Sequence, residues 1–263
     1  MKKLLFVGLA ILLLMPVVAA AQSAFDGTWK IDMNKVEFPK KPDVYVLQNG
    51  MYECKTCVPP YKIKADGTDQ KVTGHPYYDT VAIKVVNDHQ VEETDKKGGK
   101  TVGTSSMTVS SDGKTLTFVF SDSSNSNADP VTGKGEATRV AAGPAGSHAT
   151  SGSWRTTKLQ NISDNGVVWT YKVSGDEVTM TTPTGQSYTA KVNGPQAPFK
   201  GDPGTTSVSL KMIGKSALEE TDYRSGKAIS VTKYVLAPDG KTMKAMWDDK
   251  LRGTTGEFTA MKQ

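Results

Sequence analysis

Cys54-Lys55-Thr56-Cys57 is the sharpest local grouping in the chain, and it holds both cysteines of the sequence. Two cysteines at this spacing could form a disulfide, a redox centre or part of a metal site. Redox chemistry needs the pair at a helix N-terminus, where the thiol pKa falls. Here Val58-Pro59-Pro60 and the strand-like Tyr61-Lys62-Ile63 follow instead. A metal site wants four ligands, and His75 is the one further residue on offer. In an oxidising compartment the expectation is a structural disulfide between Cys54 and Cys57, with no metal and no cofactor. The loop it closes is so short that it acts as a local pin.

Histidine is scarce, at His75, His89 and His148. His89 falls in an expected turn and His148 in an expected linker, so both should be solvated. His75 is set among aromatics in Gly74-His75-Pro76-Tyr77-Tyr78-Asp79, a segment that could edge a ligand cavity or be a plain Pro-bearing connection. The carboxylates Glu92, Glu93 and Asp95, matched by Glu219, Glu220 and Asp222, suggest glycoside hydrolysis at first sight. On a strand, however, Glu92 and Glu93 point to opposite faces, while Glu93 shares a face with Asp95. Cross-strand pairing with lysine is the simpler expectation, and an inward carboxylate holding a ligand headgroup the next. There is no Gly-x-Ser-x-Gly elbow, no HExxH and no phosphate-cradling glycine loop. The expectation is a protein that is not an enzyme.

The elements that must position these residues are written twice. Residues 79–120 align without a gap on 206–247, and 12 of the 42 positions are identical. Among them are Glu92-Glu93-Thr94-Asp95 against Glu219-Glu220-Thr221-Asp222, and Asp112-Gly113-Lys114-Thr115 against Asp239-Gly240-Lys241-Thr242. Val81, Ile83 and Val85, like Leu116, Phe118 and Phe120, alternate with residues of the opposite face, which is the period of a half-buried strand. Asn49-Gly50, Asp66-Gly67, Asp112-Gly113, Asn165-Gly166 and Asp239-Gly240 supply tight hairpin turns. The spacing predicts an all-β protein of two tandem antiparallel up-and-down barrels, about eight to nine strands each. Closure would remove the exposed sheet edges. A single larger barrel or a shared sandwich stays open as an alternative. Ser121 to Asp129 reads as a long polar hairpin loop. Copy two has Ala245 where copy one has Phe118, which predicts more interior space there.

Composition is that of an ordinary globular protein, with 37% hydrophobic residues, 22% charged, 25 Gly and 13 Pro, which excludes disordered and collagenous classes. The formal charge of +5 is spread thinly, and Arg139, Arg155, Arg224 and Arg252 are the only arginines. No concentrated basic patch interleaved with aromatics is visible, so no nucleic-acid partner is expected. Lys2-Lys3, an apolar run from Leu4 to Ala21 and the small residues at its end have the form of a cleaved signal peptide over 1–23. The mature chain should be exported, periplasmic or extracellular, and should not span a membrane. The expected segmentation is a β domain over 24–141, a flexible linker over 142–150 and a second β domain over 151–263.

Gly27-Thr28-Trp29 and Gly152-Ser153-Trp154 open the first strand of each copy. A Gly-x-Trp at this place resembles the lipocalin and fatty-acid-binding superfamily. Over most of the mature length the chain is similar to exported lipocalin-like bacterial proteins. The resemblance implies that Trp29 and Trp154 plug one end of each barrel. It also implies that an arginine near the last strand packs on the tryptophan. Arg139 stands where that pattern asks in copy one; in copy two Ala260 aligns with it, and Arg252 would have to reach in from the preceding turn. A calyx for an apolar small molecule is implied, without catalysis. The candidate ligand-binding residues are His75, Tyr77, Tyr78, Phe118, Phe120 and Trp247. The alternative is a ligand-free structural or interaction protein of the cell envelope, its barrels filled by their own side chains.

Overall fold

The computed structural model describes residues 24–125 and 128–263; the expected signal peptide, 1–23, lies outside them. The first half of the described chain forms β1 (Gly27–Glu37), β2 (Asp43–Gln48), β3 (Met51–Cys54), β4 (Tyr61–Lys64) and β5 (Gln70–Lys71). It continues through β6 (Thr80–Asn87), β7 (Gln90–Lys97), β8 (Lys100–Val109), β9 (Thr115–Asp122) and β10 (Val131–Ala142). The second half repeats this run as β11 (Gly152–Gln160), β12 (Val168–Ser174), β13 (Glu177–Thr181), β14 (Ser187–Lys191) and β15 (Ala197–Lys200). It ends with β16 (Ser207–Ile213), β17 (Ala217–Arg224), β18 (Lys227–Leu236), β19 (Thr242–Asp249) and β20 (Thr254–Lys262). All ladders between these strands are antiparallel, and among the described residues helix is confined to one 3-10 turn at Asp164–Gly166.

Two ten-stranded sheets result, one more or two more strands each than the sequence suggests. The surplus comes from short pieces such as β5, only two residues long, in the connection before β6. One sheet is a closed barrel in the order β1-β12-β13-β14-β15-β16-β17-β18-β19-β20. The other runs β4-β3-β2-β11-β10-β9-β8-β7-β6-β5 and stays open between β4 and β5, where the closed barrel pairs β14 with β15.

The two barrels are not the two sequence copies. β1 leaves its own copy and pairs with β12 and β20, and β11 pairs with β2 and β10. Each barrel therefore takes its first strand from the other copy, so 24–141 and 151–263 are repeats in sequence but not separate units in space. The exchange is held at both crossings in the same way. Arg155, following Trp154, donates from Nε to the Lys40 carbonyl at 2.9 Å, and Lys30, following Trp29, donates to Asp164 Oδ1 at 2.8 Å.

The expected linker is likewise structured. Residues 143–151 form the turn between β10 and β11 inside the open barrel, with the His148 amide donating to the Leu47 carbonyl and Thr150 and Ser151 buried. His148 is engaged rather than solvated, its Nε2 lying 2.7 Å from the Asn87 carbonyl and its Nδ1 2.9 Å from Thr150 Oγ1. His89 is exposed, as expected.

Each barrel has its own core. Trp29 packs in the closed one with Phe25, Leu210, Leu236, Met243 and Ala260. Trp154 packs in the open one with Val81, Ile83, Val109, Leu116 and Ala137. Both indoles are satisfied four residues back, Trp29 Nε1 at the Phe25 carbonyl and Trp154 Nε1 at the Thr150 carbonyl. Arg139 stacks over Trp154, 4.0 Å from its ring centroid, and not over Trp29 of its own copy. Its guanidinium also donates to the carbonyls of Gly113, Ser151 and Ala149. Over Trp29 the cation is Lys262, at 5.4 Å, and not Arg252. The strand exchange explains both corrections, because it sets Arg139 opposite Trp154 and Lys262 opposite Trp29 in register. The glycine of each Gly-x-Trp has φ near +125° to +135°, and at Gly152 a Cβ would lie 2.5 Å from the Ala141 carbonyl oxygen.

Candidate functional site

The inward face of β7 carries Val91, Glu93 and Asp95, and that of β17 carries Leu218, Glu220 and Asp222, each set following one side of the pleat. Val91 and Leu218 are buried in the two cores, which fixes the carboxylates on the same interior face. Opposite them, Tyr61 on β4 donates its hydroxyl to Glu93 Oε1 at 3.2 Å, and Tyr188 on β14 donates to Glu220 Oε2. Tyr61 and Tyr188, Glu93 and Glu220, Asp95 and Asp222 are all related by the same offset as the sequence repeat. Lysine pairing therefore describes only the outer face, where Lys84 meets Glu92 at 3.3 Å.

Among the described residues neither interior pair forms an ion pair with a cation, and burial makes their charged forms costly. Burial, and then the charge of Glu93, push Asp95 up to about 8. Glu93 is raised by burial despite its tyrosine bond. Glu220 is pushed up to about 8 by burial and by Asp222, and Asp222 to about 6, chiefly by burial. Asp95 Oδ1 and Asp222 Oδ1 are buried without a hydrogen-bond partner among the described residues, as are His75 Nε2 and Trp169 Nε1. Among those residues no group of His, Cys, Asp or Glu has the arrangement of a metal site.

Aromatic rings fill the space around the carboxylates. In the open barrel Tyr45 and Tyr52 stack at 6.1 Å, Tyr61 meets His75 edge-on at 5.6 Å, and His75 stacks on Tyr78 at 4.7 Å. His75 is 8% exposed, and burial lowers its pKa, so it belongs to this interior cluster. In the closed barrel Trp169 contacts Tyr171, Tyr234 and Phe258, with centroids 6.1 to 6.3 Å apart.

A cavity opens at the mouth of each barrel, and part of its wall comes from the other. The closed barrel's cavity, about 400 Å³, descends past Trp169, Tyr171 and Tyr234 to Glu220. One side of its wall is Phe120, Asp122, Asn125 and Val131 from the β9–β10 hairpin of the open barrel. The open barrel's cavity, about 450 Å³, runs between Asp43, Lys55, Thr56, Cys57 and Pro60 and the β19–β20 hairpin of the closed barrel, including Trp247, Leu251 and Arg252. Phe120 and Trp247 occupy equivalent repeat positions, so each barrel lends the other the same strand end.

The sequence-predicted residues thus separate. His75 and Tyr78 join the carboxylate cluster of the open barrel, while Phe120 and Trp247 line the two cavities. Tyr77 turns away to the other barrel, donating to Asp202 Oδ1 at 3.0 Å above Gly204, where a Cβ would lie 2.1 Å from its hydroxyl. Phe118 lies flat on Gly135, where a Cβ would come within 2.1 Å of its ring. Ala245 does not leave extra room, because its cross-strand partner is Phe258 where Phe118 has Gly135. Cys54 and Cys57 form the expected disulfide, and they wall the open barrel's mouth through Cys57. Trp169, Tyr171, Tyr188 and Tyr234 escaped the sequence reading. The signal that could have found the site was the identity of Glu-Glu-Thr-Asp in both copies, beyond what surface pairing with lysine requires.

No helix among the described residues is long and apolar enough to cross a membrane. Comparison with protein-family models and with curated proteins finds no match for this chain.

Proposed function

We propose that the protein is an exported, non-catalytic, lipocalin-like carrier that holds a small, largely apolar molecule in the mouth of each barrel. The observation that carries this reading is the pair of cavities related by the sequence repeat, about 400 and 450 Å³. That size suits a small organic ligand, and the closed barrel's cavity offers Phe120, Trp169, Tyr171 and Tyr234 for its apolar body, while the open barrel's offers Trp247, Leu251 and Val58. Export is supported by the leader-like residues 1–23 and by a disulfide that needs an oxidising compartment. The rival, a ligand-free envelope protein, is favoured by the packing of Phe25, Trp29, Leu236 and Met243, which fills one end of the closed barrel solidly.

Native mass spectrometry of protein purified from its own periplasm or medium, with organic extraction in parallel, separates the two. Up to two small molecules per chain, lost on denaturation, are expected of a carrier. A ligand-free mass that persists after addition of a lipid and pigment panel would assign the filled-barrel role instead.

A further inference from the structure

The two mouths differ in charge. Among the described residues the closed barrel's cavity is lined by two carboxylates, Asp122 and Glu220, and by no Lys, Arg or His, in a chain with 32 Lys and Arg against 27 Asp and Glu. The related cavity of the open barrel carries three cations, Lys41, Lys55 and Arg252, beside Asp43 and Asp249. Glu220 is only 7% exposed at the inner end of its cavity and is held by a tyrosine hydroxyl rather than by a cation. Two residues on, Asp222 Oδ2 accepts from the Ser230 hydroxyl at 2.8 Å, while Oδ1 is buried with no partner among the described residues. Buried carboxylates left in this way are costly until a positive group reaches them. The rings of Trp169, Tyr171 and Tyr234 border the same space, and electron-rich aromatic faces attract organic cations.

We propose that the closed barrel selects a small organic amine, bound as its ammonium, with the nitrogen against Glu220, whose neighbour two residues on is Asp222, and the apolar body among the aromatic rings toward the mouth. The inference rests on the carrier reading and adds the chemical class of ligand for one of the two sites. Asp122 and Asn125, contributed by the other barrel, keep the rim acidic or neutral and so favour a cation on its way in.

Three probes of nearly the same shape test it: 2-phenylethylamine, 2-phenylethanol and phenylacetate, titrated into the whole mature protein by calorimetry at about pH 9, above the value of about 8 to which burial pushes Glu220 and where a primary amine is still mostly an ammonium. The amine is expected to bind about tenfold or more tighter than the alcohol, with phenylacetate weakest. Glu220→Gln should remove that preference while alcohol binding persists, and Glu93→Gln, in the open barrel, should leave it intact. Should Glu220→Gln fail to fold, Asp222→Asn, which removes charge at an unpartnered oxygen, should still cut the preference severalfold. Equal affinity for amine and alcohol would overturn the amine assignment and leave the carrier reading standing. Tighter binding of phenylacetate, or no heat from the amine at millimolar concentration, would overturn it as well. The carrier reading falls separately, by the ligand-free mass described above.

Discussion

Glu220 and its repeat partner Glu93 are held inside barrels that give them tyrosine hydroxyls and, among the described residues, no counter-cation. Burial raises Glu220 from 4.5 to about 8, so the folded chain keeps a proton that the unfolded chain gives up. Its contribution to stability is fully present below the ordinary carboxyl value and is lost as pH rises through about 8. Thermal unfolding followed by circular dichroism should therefore give a lower Tm at about pH 8.5 than at about pH 5. Glu220→Gln should flatten that descent and raise Tm at the alkaline end; a descent as steep as the parent's would refute the account. The disulfide makes a different prediction. Its loop spans three positions in sequence, so Cys57→Ser should cost about 2 kcal/mol in a denaturant titration and leave the fold in place.

Strand pairs show how two copies of one sequence fill the same volume differently. In the open barrel the large residue of a cross-strand pair is Phe118 and the small one Gly135; in the closed barrel Ala245 is small and Phe258 large. The pair is conserved as a volume, not as a pattern along either strand. Gly135→Ala should overpack this spot and cost about 1–3 kcal/mol in denaturant unfolding. Phe118→Ala should cost more, through the cavity it leaves. The double change Phe118→Ala with Gly135→Phe copies the closed barrel's arrangement and should recover most of the loss of Phe118→Ala. Purely additive losses would show that the two barrels do not share this packing rule.

At the scale of the molecule, the exchange of β1 and β11 makes neither half complete without the other. Each copy supplies nine strands of one barrel and one strand of its neighbour, together with a hairpin that walls the neighbour's cavity. Residues 144–146 are exposed in the turn between β10 and β11 and are the natural place for an engineered protease site. After cleavage there under native conditions, the fragments should stay together through gel filtration as one particle of unchanged size. Separation into two independent species would mean that the exchanged strands do not hold the barrels together. The same arrangement predicts that a ligand seated in one mouth touches both barrels, because Phe120 and Trp247 each stand in the cavity of the other.

The sequence by itself determined the all-β class, the duplication, the hairpin turns and the Cys54–Cys57 pair. These rest on local rules, namely period-two alternation, glycine-bearing turns and a three-residue spacing, and they need no knowledge of distant neighbours. It placed Glu93 and Asp95 on one face but could not say which face is inside, since a one-residue shift in register inverts a strand. Only the tertiary structure decided that, by burying Val91 beside them. It alone also decided which copy supplies each first strand. Gly27-Thr28-Trp29-Lys30 and Gly152-Ser153-Trp154-Arg155 are near-equivalent, and the connection over 38–42 is long enough either to turn a hairpin or to cross to the other barrel. The choice lies in contacts between residues more than a hundred positions apart, such as Lys30 with Asp164 and Arg155 with Lys40, and local sequence carries no record of them.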